Sequence, residues 1–176
     1  NNLLLDGASI VDLDPQSSVR IEHNTIASQR VFNVAGIRSD GSGSRITNNL
    51  ITSRQIGVQT GQTGQPAIRF VANNLFNCTR PWVGIGAPAG NFSFPPFFVD
   101  PGKHDYRLSA NSALIGRGSL RGRVESDVAA FPRALDGNGN GQLHPDIGCF
   151  EYGGPELFTA ISGSRLGVAL DGPRAF

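Results

Sequence analysis

Three stretches of the chain align at a constant step of 25 residues: Val19 to Ala27, Ser44 to Thr52 and Arg69 to Asn77. The step brings Asn24, Asn49 and Asn74 into one column, Ile21, Ile46 and Val71 into a second, and Ile26, Ile51 and Phe76 into a third. A further column holds Gly36, Gly61 and Gly86. A fixed period in this range, with β-branched columns and no amphipathic helix inside the repeat, marks a solenoid whose turns stack by strand pairing. Function in such a chain is sought on the surface of a rod.

The short apolar positions alternate with polar ones, as half-buried strands require. A leucine-rich repeat has a comparable period but needs several leucines at set places, and those are missing. The expected fold is therefore all-β, a right-handed parallel β-helix with coils of about 25 residues. Asn suits the turn column because it tolerates left-handed backbone and its amide can bond the next Asn in a ladder. Asn2 reads as an earlier member of that column, displaced to an interval of 22 residues. The two isoleucine-rich columns are expected to form inward stacks.

The 176 residues suit one domain with a continuous core. Only 16% are charged and the net charge is +1, which provides no basic field for nucleic acid or an anionic membrane. No apolar run approaches the length of a membrane span and no signal peptide opens the chain. The opening Asn-Asn-Leu-Leu enters directly on a coil, so a preceding domain or another copy of the chain is expected to cover that edge.

The repeat gives way by Asn91 to a stretch rich in Phe and Pro, Phe92 to Phe98. Beyond it come Phe98-Val-Asp100, Asp105-Tyr-Arg-Leu108, Ser112-Ala-Leu-Ile-Gly-Arg-Gly118 and the closing Asp146-Ile-Gly-Cys-Phe-Glu-Tyr152. In this order the segments resemble the C-terminal end of bacterial right-handed parallel β-helix proteins, including those called choice-of-anchor Q domain proteins. The resemblance covers Phe98 to Tyr152 and implies a secreted or surface-attached fold without implying one reaction. The expected organisation is β-helix coils over residues 1–93, the family-like end over 94–153, and a tail, linker or docking strand over 154–176. Cys149 stands where that family more often has Ala. With Cys78, 71 residues away, it could form a disulfide in an exported protein, or both could be buried free thiols.

Spacing points most directly to calcium. Asp136, Asn138 and Asn140 alternate with glycines, so side-chain oxygens can converge while the backbone turns tightly, with the Gln142 carbonyl and Asp146 as further ligands. The loop resembles the first half of an EF-hand-type loop but lacks its closing bidentate Glu. On the outer face, Arg20 and Arg45 share a repeat column, and Arg30, Gln55 and Arg80 share another, so basic side chains could hold sugar carboxylates. Trp82 could stack on a sugar ring or sit in the core. No catalytic constellation is expected: Lys103, His104, Asp105 and Arg107 overlap the family-like segment, and Asp12 with Asp14 could mimic the paired carboxylates of a glycosidase only if the fold set them across a groove. The expected function is a non-catalytic extracellular module for surface structure, adhesion or glycan binding, with a polysaccharide or surface protein as partner. A polysaccharide lyase or hydrolase fragment and a fibre subunit are the alternatives.

Overall fold

The computed structural model describes residues 1–61, 68–121 and 124–153. The repeats form short strands: β1 (Leu3–Leu5), β2 (Ile10–Asp12), β3 (Arg20–Glu22), β4 (Thr25–Ala27), β5 (Phe32–Ser39), β6 (Arg45–Thr47), β7 (Leu50–Gln59), β8 (Arg69–Val71) and β9 (Asn74–Val83). Each of these strands pairs in parallel with its equivalent in the next coil, giving a β-solenoid of about three turns. One face is β3–β6–β8. A second is β1, β4 and the first halves of β7 and β9, and a third is β2, β5 and their second halves. No helix among the described residues is long and apolar enough to cross a membrane.

Each face sends one stack of apolar side chains inward. Ile21, Ile46 and Phe70 pair across the first face, Leu4, Ile26, Ile51 and Leu75 across the second, and Ile10, Ile37, Val58 and Trp82 across the third. All eleven belong to or pack against one core, and Ile26, Ile37, Ile46, Ile51 and Val58 are wholly buried. The expected stacks hold for the first two repeats and fail in the third. Leu50 pairs with Asn74, so that coil is 24 residues long, and Phe70 and Leu75 take the places expected of Val71 and Phe76. Because strand side chains alternate with a period of two, an error of one residue exchanges inside for outside.

The same shift moves the asparagine ladder. Asn2 donates its Nδ2 to Asn24 Oδ1 at 3.0 Å, Asn24 to Asn49 at 2.8 Å, Asn49 to Asn73 at 2.9 Å and Asn73 to Asn91 at 2.9 Å. Asn73 therefore occupies the column expected of Asn74, whose own amide is bonded to Phe94. The displaced Asn2 takes its place as read. In each coil the residue before the ladder Asn is left-handed: His23 at φ 54°, Asn48 at 59° and Ala72 at 54°. The glycine column does not form as expected. Pairing sets Gly36 opposite Gly57, and a Cβ at Gly57 would meet Leu75 Cδ2 at 2.5 Å and Pro81 O at 2.6 Å. Backbone there lies directly on the core stack, which only Gly permits.

Beyond β9, Phe92 makes a last parallel bridge with Asn74. An antiparallel hairpin follows, β10 (Phe98–Asp100) and β11 (Asp105–Leu108), joined by a short 3-10 turn over Pro101–Lys103. The chain then doubles back along the outside of the corner between the first two faces. Leu108, Leu114, Ile115, Ile147 and Tyr152 pack there on Leu50 and Ala72. Ser119 exchanges two hydrogen bonds with the Asn48 amide, Gly148 N–H reaches Asn48 O, and Cys149 N–H reaches Thr25 Oγ1. This strap ends its run at the first coil: Asn1 donates to Ser126 O, and Arg133 donates to Asn1 Oδ1.

Candidate functional site

The first face carries a line of cations. Since Ile21, Ile46 and Phe70 point inward, the residues before them point out, and pairing sets Arg20 beside Arg45 and Arg45 beside Arg69. Equivalent residues on adjacent strands lie about 4.8 Å apart. Arg20 and Arg69 are exposed and Arg45 half-buried. Among the described residues none of the three forms an ion pair. Along the strands the next outward positions are Glu22, Thr47 and Val71, so the basic field is one residue wide. Sequence reasoning found Arg20 and Arg45 and missed Arg69, because a step of 25 from Arg45 falls on Phe70. A cleft of about 270 Å³ adjoins the line at the first coil, with Arg20, Ile10, Ile21 and Asn2 in its wall.

The other expected sugar contacts fall elsewhere. Trp82 points inward and meets Phe70 edge-to-face, with ring centroids 5.3 Å apart, so it is part of the core stack. Arg30, Gln55 and Arg80 form no column: Arg80 pairs with Ile56, and Arg30 lies over the Phe32 ring at 4.9 Å. Arg107 is engaged by Asp105, and exposed Lys103 by Asp100. Asp12 accepts from Ser17 in its own turn and from Ser39 in the next coil, while Asp14 caps the Gln16 amide, so these carboxylates hold the turn and its neighbouring coil.

In the glycine-rich loop, Asp136 accepts the Asn140 and Gly141 amides, Asn138 Oδ1 accepts the Asn140 amide, and Asn140 Oδ1 accepts the Gln142 amide. The side-chain oxygens thus hold the turn itself. Asp146 is committed to other work: it is buried and accepts Gly116 N–H at 2.7 Å and Tyr152 N–H at 2.6 Å. A calcium ion in this loop would rest on Asp136, Asn138, Asn140 and the Gln142 carbonyl, with one carboxylate among them. Among the described residues no three His, Cys, Asp or Glu side chains are grouped to hold a metal.

Asp146 belongs to a buried ionic cluster beneath the strap, which sequence reasoning did not single out. Glu151 accepts Arg133 Nη1 at 2.7 Å and Asp146 N–H at 2.8 Å, while Asp127 accepts Glu151 N–H at 2.9 Å. Burial raises the pKa of Asp146 and, reinforced by Asp146, that of Glu151. Burial, then Arg133 and the N-terminal ammonium, lower His23 to about 3, so its ring is neutral. The nearby Cys149 is a free thiol pushed up to about 11 by burial, as is Cys78; neither is an activated nucleophile, and the two are not joined. The signal for this cluster lay in the closing Asp146–Tyr152 segment, whose two acids have no apolar alternation to place them.

No known protein family matches the chain, and no curated protein matches it.

Proposed function

We propose that this β-solenoid is a non-catalytic module of the cell surface or extracellular space that binds an acidic glycan along Arg20, Arg45 and Arg69. The observation that carries the reading is the line of guanidinium groups on one face, none of which forms an ion pair among the described residues. Like charges directly opposite one another on a sheet are destabilising. Guanidinium groups take carboxylates in a bidentate fork, so a ligand carrying carboxylates both relieves the repulsion and gains charge-assisted hydrogen bonds. The resemblance of Phe98 to Tyr152 to surface-attached β-helix proteins supports the location.

The test is binding of the purified chain to polygalacturonate, alginate and neutral dextran by titration calorimetry. The acidic polymers are expected to bind and dextran not, with affinity falling as salt screens the exposed charges. Replacing Arg20, Arg45 and Arg69 together by Gln is expected to weaken binding at least about tenfold, equivalent to about 1.4 kcal/mol. Release of new reducing or unsaturated ends during the titration would instead favour a polysaccharide lyase or hydrolase.

A further inference from the structure

We infer that the ligand is an unbranched polyuronate lying along the solenoid axis, with successive coils each engaging one carboxylate through one arginine. This rests on the reading above of the arginine line as a glycan site, and adds the direction and the charge repeat of the polymer.

The direction follows from the strand pairing. Arg20, Arg45 and Arg69 succeed one another across strands, so the line they form runs along the axis of stacking. A polymer laid along the strands would meet one arginine and then, two residues on, Glu22, Thr47 or Val71. Of these Glu22 and Thr47 are buried, and none is a cation. Only a chain crossing the strands meets three guanidinium groups in succession.

The charge repeat follows from the spacing. Neighbouring strands are about 4.8 Å apart, and an extended 1,4-linked hexuronate advances by a closely similar length per sugar. A polymer with a carboxylate on every sugar therefore brings one anion to the level of each coil; successive sugars turn about the polymer axis, and the long, flexible arginine side chains reach carboxylates on either flank of the polymer. The planar carboxylate also matches the fork of the guanidinium, which an ammonium cannot reproduce. Contacts made by one polymer on successive coils are linked, so each additional pair gains from the effective concentration set by the previous one.

Oligogalacturonates of one to six sugars, hyaluronan, which carries its carboxylate on alternate sugars, and dextran are titrated into the intact chain and into R45Q, R45K and R69Q. Outward side chains are replaced, and circular dichroism and thermal melting establish that each variant is folded. Affinity is expected to rise about five- to tenfold per sugar up to three, then level off. Hyaluronan is expected to bind more weakly than a galacturonate of equal length, and R45K to recover only part of the loss in R45Q. Equal binding of hyaluronan and polygalacturonate, or a monosaccharide as good as the trimer, would overturn the polyuronate inference while leaving the glycan site in place. No preference for acidic polymers over dextran, or variants that all bind like the parent chain, would overturn the site itself.

Discussion

At the scale of single residues, the ladder asparagines are expected to contribute more than their polarity suggests. Asn49 is wholly buried; its Oδ1 accepts from Asn24, and its Nδ2 serves Ile21 O, Thr47 O and Asn73 Oδ1. Truncating it leaves several buried groups without partners, each costing about 1–3 kcal/mol. Asn49→Ala is therefore expected to lower stability by about 3 kcal/mol or more in urea unfolding, whereas Asn74→Ala, whose bonds with Phe94 are only part-buried, loses less. The reverse order would contradict the 24-residue step of the third coil. The pair also marks where sequence reasoning stopped. Asn73 and Asn74 are adjacent and chemically identical, so nothing in the column itself chooses between them. The choice is made by Phe70 and Leu75 filling the core in place of Val71 and Phe76, and pairing alone reveals that Arg69 continues the Arg20–Arg45 line. Calcium at Asp136 belongs to this scale too. With one carboxylate the affinity should be no tighter than about millimolar, so 1 mM calcium is expected to add no more than about 0.4 kcal/mol to stability. A larger rise in the melting temperature, lost in Asp136→Asn, would show a stronger site.

At the scale of elements, the repeat was legible because strand, turn and core recur together, and the places where it failed are those where one element constrains another. Gly57 is such a place: its backbone, on the third face, sits between Leu75 of the second face's core stack and the Pro81 carbonyl of the next strand. Gly57→Ala is expected to destabilise by about 2 kcal/mol or more, since the obstructing carbonyl is main chain and cannot move aside cheaply. Gly86→Ala, where an added Cβ meets nothing within 4 Å, is expected to be near neutral and serves as the control. Thermal melts of the two variants check the contrast. The strap could not be anticipated, because its contacts with Asn48, Thr25 and Asn1 join residues far apart in sequence and carry no period.

At the scale of the whole molecule, the strap and its buried ionic cluster tie pH to stability. Asp146 and Glu151 hold protons more tightly folded than unfolded, so their contribution is full below the ordinary carboxylate range and is lost as pH rises through about 6 and about 8. His23, lowered to about 3, acts oppositely: its contribution is full above its ordinary value of 6.5 and is lost as pH falls. The lowered amine of Asn1 likewise favours the fold as pH rises toward its ordinary value of 8.0. Above pH 6.5 Glu151 and the amine therefore oppose each other, and Glu151→Gln isolates the acid. The expected outcome is that the urea midpoint of the parent chain falls more between pH 6.5 and 9 than that of Glu151→Gln. Equal slopes would remove Glu151 from the pH response.

The strap also has a kinetic consequence. A solenoid in which each coil touches only its neighbours nucleates anywhere and frays from its ends. Here Asn1 is bonded to Ser126 and Arg133, and Thr25 to Cys149, so the first coil closes its contacts only after nearly all the described residues have been made. Sequence separations of this size slow folding, because a long loop must close before any contact rewards it. During synthesis the early coils would wait, stacked but unlatched, for the closing segment to emerge. Once latched, coils at opposite ends should lose amide protection against hydrogen exchange together rather than in sequence.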